Sequence, residues 1–317
     1  MSSPFDAITP ISTGEPRGPP GMDCDQMIDL HSHILPGIDD GSPDLATSLA
    51  MAEAFVKGGV EVVACTPHIL PGLYHNAGPQ IRSAVGDLQR AIDEAGIPLK
   101  LTTGADVHIA PGLVEGLSSG RILSLASSRY VLIEPPHHVA PARFEDTLFS
   151  LLLGGYVPIV THPERLSWIR DHYPVFQRLV GRGVWLQLTS GSLAGKFGKS
   201  ALYWSERMLE EGLVHILASD AHDVAKRPPD LAVGRELAAR RVGDEEAGQL
   251  VLSRPLGILG NEAPSALSRP RGAVEPAVQG ARAAGSRAGA GHDDSGTRAG
   301  AIGGTHGFVG RLRRLFQ

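Results

Sequence analysis

An α/β fold of parallel strands covered by helices is what this sequence predicts, on three observations. Seven short runs of β-branched and apolar residues recur along the chain. Longer stretches with helical spacing separate them, and strand alternating with helix argues for a parallel sheet with helices outside. All seven repeats fall within residues 27–258. That span suits a closed barrel better than an open sheet, although doubly wound sheets share the alternation.

The strands are expected at 28–30 (IDL), 60–64 (VEVVA), 99–103 (LKLTT), 130–134 (YVLIE), 157–161 (VPIVT), 184–188 (VWLQL) and 214–218 (VHILA). The first helix should begin at Ser42-Pro43, an N-cap followed by Pro at the first helical position. Leu45, Leu49, Ala52 and Val56 then share one face, and Gly58-Gly59 ends the helix. Further helices are expected over 78–95, 143–153, 171–181, 199–211 and 230–252. Residues 1–26 are rich in Pro, Gly and Ser and are expected to be a disordered extension. The domain should end near 258. Residues 259–306, with GARAAGSRAGAG at the centre, form a low-complexity linker that cannot bury enough apolar surface to fold alone. In 307–317, Phe308, Leu312, Leu315 and Phe316 lie among Arg311, Arg313 and Arg314. That pattern suits either a solvated basic terminus or a short helix that docks on a membrane surface or a partner.

Composition removes several classes. No run of eighteen apolar residues occurs, so no membrane span is expected, and the first 26 residues lack the basic start and apolar core of a secretory signal. The two cysteines, Cys24 and Cys65, are far apart and in no CxxC arrangement. A disulfide framework and a zinc–thiolate site are therefore not expected, and the usage fits a cytoplasmic protein. From 254 onward nine arginines face four acids, so the formal net charge of −5 divides into a basic tail and a body near −10. An acidic body argues against a nucleic-acid groove.

The ionisable residues repeat a position. His31 and His33 (DLHSH) follow the first strand, His68 (CTPH) the second, Asp106 (GADVH) the third. Glu134 (YVLIEP) ends the fourth, His162 (THPER) follows the fifth, and Asp220 with His222 (SDAH) follow the seventh. In a barrel the C-terminal ends of strands meet at one mouth, and residues two apart in extended backbone point the same way. Imidazole with carboxylate and no thiolate suits Mn, Fe or Zn, and eight donors are enough for two or three ions. His75, His108, His137, His138, His172 and His215 match no such placement and are expected at the surface or in the core.

The set DLHSHILPGIDDG, CTPH, GADV, YVLIEP, THPER and ASDAHDVAKRPPDL resembles the PHP (polymerase and histidinol phosphatase) metal hydrolases. Within them, HSHILPGIDDG with THPER and RPP resembles the CpsB-like, manganese-dependent bacterial tyrosine phosphatases linked to capsule and exopolysaccharide synthesis. The resemblance spans about 27–256 and implies a distorted (β/α)7 TIM-like barrel. It implies metal ligands at His31, His33, Asp40, His68, Asp106, Glu134, His162, Asp220 and His222, with Asp39 as a rival to Asp40. Arg165 and Arg227 fall on its phosphate-binding arginines. The third-strand ligand is usually Glu in such relatives, and here it is Asp106. Two or three Mn2+ ions are implied, with Fe, Zn or Mg as alternatives. The implied partner is an autophosphorylated bacterial tyrosine kinase, and the implied location is cytoplasmic, with peripheral contact at the inner membrane if the C-terminal segment docks there.

The chemistry agrees with the residue types. Phosphomonoesters resist water, so a catalyst must supply a strong nucleophile and neutralise phosphoryl charge, and metal ions do both. An arginine fork grips two phosphoryl oxygens in a way lysine cannot copy. The cysteine route to phosphotyrosine needs an arginine six positions after the cysteine, and here Leu30 and Pro71 stand there. A histidinol phosphate or other small phosphoester hydrolase is the alternative enzyme. A non-catalytic metal-binding module is the alternative class.

Overall fold

Runs rich in Val, Ile and Leu become buried strands wherever helices can cover both faces, and the computed structural model, which describes residues 26–271, places them so. The elements are, in order, β1 (Met27–Ser32), α1 (Leu45–Lys57), β2 (Val60–Cys65), β3 (His68–Leu70), β4 (Tyr74–His75), α2 (Gly78–Glu94), β5 (Lys100–Thr103), β6 (Asp106–His108) and α3 (Leu113–Ser118). There follow β7 (Tyr130–Glu134), α4 (Phe144–Leu153), β8 (Val157–Thr161), α5 (Ile169–Gly181), β9 (Trp185–Thr189), α6 (Ser190–Leu193), α7 (Gly198–Glu210) and β10 (Ile216–Ala218). The last helices are α8 (Leu231–Val242), α9 (Asp244–Gly248) and α10 (Arg254–Leu259), the latter two joined by a π-helical turn at Gln249–Ser253. The expected N-terminal extension, most of the 259–306 linker and the 307–317 segment lie outside the described residues. No helix among those described is long and apolar enough to cross a membrane.

Parallel pairing dominates. One sheet has the order β1-β2-β5, the other β10-β9-β8-β7-β6-β3-β4, and only β3 with β4 is antiparallel. The chain breaks step between β2 and β3 and between β5 and β6, where Gly104 N–H donates to Cys65 O and Asp106 N–H to Pro67 O. An isolated parallel bridge joins Ser32 to Ala221. Alternate strand residues feed two apolar clusters. Tyr130, Leu132 and Ile159 enter one with Leu252, Leu256 and Ile258 from the C-terminal helices. Val131, Ile133, Val160 and Leu186 enter the other, against the surrounding helices. The fold is thus mixed α/β, with all seven expected strands present within a residue or two.

Some local expectations change. Asp44, not Ser42, caps α1, its side chain accepting from Thr47 N–H at 2.8 Å. The buried face of α1 is Ser48, Met51, Ala52 and Phe55, while Leu45 is exposed. Ser48 hid that stripe from a hydrophobicity pattern because it is polar, yet its hydroxyl is satisfied by Ile34 O at 2.7 Å. The single helix expected over 230–252 breaks at Gly243, whose φ of +84° cannot continue a right-handed helix. The boundary at 258 also moves. Asn261 Oδ1 accepts from Arg129 N–H at 2.9 Å, and the fully buried Arg254 donates to Ser268 O at 2.8 Å, so the packed body runs on to 271.

His215 is a core residue, as expected. Its ring stacks on Trp185 at 4.6 Å and its Nδ1 accepts from Leu186 N–H at 3.2 Å. Burial, helped by the charge of Arg254, pushes the imidazole from its ordinary 6.5 down to about 3. The unfolded chain therefore binds more protons than the folded one between those values. The stability this group contributes is complete above pH 6.5 and is lost as pH falls towards 3, by up to about 1.4 kcal/mol per pH unit. His215→Asn keeps an acceptor for Leu186 and should flatten that fall. Urea unfolding of both proteins at pH 7 and pH 5 checks it, and equal losses would refute it.

Candidate metal centre

β1 and the segment after β10 form the first part of the site. Asp220 N–H donates to His31 O at 2.9 Å and His33 N–H to Ala221 O at 2.8 Å, which sets β1 beside the segment after β10. Residues about 190 apart in sequence then face one another. His31 Nε2 lies 3.2 Å from His33 Nε2, and each is 3.4 Å from Asp220 Oδ1. Beneath them Asp29, fully buried, accepts from Ser219 N–H at 3.1 Å and ties the same two segments.

The loop after β1 supplies the second group. Gly41 packs so close to His33 that a Cβ would stand 2.2 Å from His33 O, so only glycine fits the DDG turn. The turn aims Asp39 at His33 Nδ1, 2.7 Å away, and presents Asp40 to His68 Nε2 at 3.4 Å and His222 Nε2 at 3.5 Å. Asp40 thus faces two further donors, while its rival Asp39 orients His33 and accepts from His68 N–H. Asp106 Oδ2 stands between the groups, 3.5 Å from both His31 Nε2 and His68 Nδ1. Glu134 closes the row, with Oε2 3.3 Å from His68 Nδ1 and Oε1 3.6 Å from His162 Nε2.

All nine predicted donors therefore converge, and two unpredicted ones join them. His108 Nε2 lies 2.5 Å from Glu134 Oε2, and His137 Nε2 lies 3.1 Å from Glu134 Oε1. Both are among the histidines that the sequence leads one to expect at the surface or in the core. The signal for His108 was its position two after Asp106, on the same side of β6; His137 sits in a loop and had none. Gln187 was also missed, although its Oε1 stands 2.8 Å from His31 Nδ1 and orients that ring. His75 and His138 are exposed and His172 half-buried, and none of them belongs to a donor group, although the His138 ring meets that of His137 edge-on at 6.3 Å.

The donor set fits metal ions. Four groups, His33–Asp40–His68–His222, His31–His33–Asp220, His68–His108–Glu134 and Glu134–His137–His162, each hold their donor atoms within 4.8 Å of one another. Bonds of about 2.0–2.2 Å put neighbouring ligand atoms of one ion about 3.0–3.5 Å apart, which is the spacing seen here. Asp106 Oδ2 and His68 Nδ1 are buried and make no hydrogen bond, a costly arrangement for a cluster without cations. Burial alone would lower the His31 imidazole, but Asp220 and Asp106 outweigh it and push it up to about 9. Burial would raise Asp220, yet His31 and Arg227 hold it well below the usual carboxylate range. The site draws positive charge. Strain marks it too, since His162 (φ +34°) and Asp220 (φ +54°) both adopt left-handed backbone.

Two arginines complete the site. Arg165 Nη1 donates to Asp220 Oδ2 at 2.7 Å, and Arg227 Nη2 donates to the same oxygen. Arg227 Nη1 also lies 2.7 Å from His222 Nε2. The Arg165 guanidinium rests 4.2 Å above the Phe197 ring, and both line a depression of about 470 Å³ with His137 and Ser200.

A family model for capsular polysaccharide synthesis proteins, CpsB/CapC, matches residues 27–260. The chain belongs to the CpsB/CapC family. Among its relatives, tyrosine-protein phosphatase YwqE of Bacillus subtilis is 40% identical over 201 residues, covering 63% of this chain and 79% of YwqE. Tyrosine-protein phosphatase CpsB of Streptococcus pneumoniae is 27% identical over 238 residues, covering 74% of this chain and 98% of CpsB. A crystal structure from work on those two proteins, described as metal-dependent tyrosine phosphatases, matches at 36% identity with a TM-score of 0.73, covering 77% of this chain and 97% of that one.

Metal content tests the geometry of this CpsB/CapC chain. A divalent ion at a hundred times its Kd should stabilise the chelated protein by about 2.7 kcal/mol. Asp106→Asn, which keeps the volume but removes the charge facing His31 and His68, should lower the bound metal-to-protein ratio measured by mass spectrometry. An unchanged ratio would sink this assignment.

Proposed function

We propose that the chain is a metal-dependent protein-tyrosine phosphatase acting in capsular or exopolysaccharide synthesis. The observation that carries the reading is the meeting of Arg165 and Arg227 on one oxygen of Asp220, at the edge of a buried imidazole–carboxylate cluster. A phosphoryl group needs such cations beside such a cluster, and the relatives named above are tyrosine phosphatases.

His31, His33, Asp40, His68, Asp106, Glu134, His162, Asp220 and His222 would hold two or three ions, Mn2+ in our reading. When bound, the ions supply charge neutralisation at the phosphoryl oxygens and a strong nucleophile at neutral pH. The protein's own residues do the rest. Gln187 and Asp39 orient the His31 and His33 rings through their Nδ1 atoms. Arg165 and Arg227 offer paired N–H donors to the phosphoryl oxygens, with Phe197 fixing the plane of Arg165. A tyrosine leaving group has an ordinary pKa of about 10 and departs with modest assistance. The proposed partner is a phosphorylated bacterial tyrosine autokinase.

A distorted seven-stranded barrel is the fold we propose for this machinery. The Ser32–Ala221 bridge supports it, because it would join the first strand to the last.

The deciding experiment follows hydrolysis of a phosphotyrosyl peptide after chelation, with manganese, magnesium, iron and zinc restored separately. Turnover should return with manganese and exceed that on histidinol phosphate; the opposite preference would overturn the reading. Arg165→Lys should lower kcat/KM about 10- to 100-fold with metal content unchanged.

A further inference from the structure

The depression beside Arg165 does not end there. At Ser200 it meets a second, of about 640 Å³, lined by Arg170, Lys199, Ser200, Tyr203, Trp204 and Arg207, with no acid among them. The second lies between α5 and α7. Lys199, Tyr203 and Arg207 are four residues apart and share one face of α7. That face runs about 12 Å, the length of roughly four residues of extended peptide.

Two of its three cations lack the acidic partners that several neighbouring ones have. On the neighbouring surfaces Arg178 and Arg182 pair with Glu145, Lys196 with Asp230 and Arg241 with Glu206. Arg207 is matched by Glu211 at 2.7 Å and lies 4.4 Å over the Tyr173 ring. Arg170 and Lys199 are exposed, and no ion pair is formed by either among the described residues. Two unmatched cations thus lie beside the phosphate-binding arginine, on a body whose charge before residue 254 is near −10. Tyr203, 53% exposed, adds an aromatic face between them.

We infer that this groove docks the polypeptide beside the phosphotyrosine and selects substrates with acidic residues on that flank. The inference rests on the phosphatase reading above. Charge complementarity supplies the selection: each acidic side chain meeting Arg170 or Lys199 gains an attraction that salt screens.

The test compares two phosphotyrosyl peptides, one with acidic and one with neutral flanks, in the metal-loaded protein. Wild type should favour the acidic peptide at least about fivefold in kcat/KM, and less so at high salt. The ratio should approach one in Arg170→Gln/Lys199→Gln and fall below one in Arg170→Glu/Lys199→Glu. Because each protein is its own reference, a partial folding defect does not move the ratio. A wild-type ratio of one, or a ratio kept by both variants, overturns the inference. Fluorescence anisotropy with the chelated protein reads the same ratio as dissociation constants. Absence of turnover on both peptides would therefore defeat the phosphatase reading while the groove is still decided. A change only in self-association of the Gln variant, with peptide ratios held, would assign the groove to a second copy and overturn the inference.

Discussion

Two backbone hydrogen bonds, Asp220 N–H to His31 O and His33 N–H to Ala221 O, are the contacts on which the site depends. They bring the i, i+2 donor pairs His31/His33 and Asp220/His222 side by side, and neither pair would face an ion without them. Asp29 reinforces the junction from below, accepting from Ser219 N–H and from His31 N–H. Burying a carboxylate there pushes Asp29 up to about 6 despite those hydrogen bonds. The junction is therefore held by backbone geometry first and by charge second.

Around that junction, strain and electrostatics act together. His162 and Asp220 stand in left-handed backbone that costs on the order of 1–3 kcal/mol each, and both conformations aim a donor into the cluster. The rest of the fold offsets this with two apolar clusters on opposite faces of the strands. Buried carboxylates and imidazoles would oppose folding if left alone. Here each carboxylate of the donor cluster lies within 3.6 Å of an imidazole or guanidinium nitrogen. Such a site responds to whichever cation occupies it.

Membership of the CpsB/CapC family and the geometry of the arginines point to the same class of chemistry from independent directions. The acidic body repels anionic polymers in general, whereas the region between α5 and α7 reverses that sign locally. A protein built this way can approach a phosphorylated chain without becoming a general anion binder.

Strand positions were legible because burial on both faces demands continuous apolar runs, and those runs are local. The donors His31, His33, Asp220 and His222 were legible because they sit at strand ends at two-residue spacing. Chain neighbours alone determine such features. His137 was not legible, since its approach to Glu134 depends on how the loop after β7 folds back. Ser48 lay on the buried face of α1 only because Ile34 O stood ready to accept its hydroxyl, and Gly243 ended a helix that the pattern would have continued. The packing of 259–271 against Arg129, Tyr130 and Arg254 likewise joins distant segments. By itself the sequence determined the order of strands and helices and which residue types stood at their ends. Only the tertiary structure decided which of those residues meet, because a contact between distant segments is set by strand register and loop path, and neither leaves a mark in the nearest neighbours.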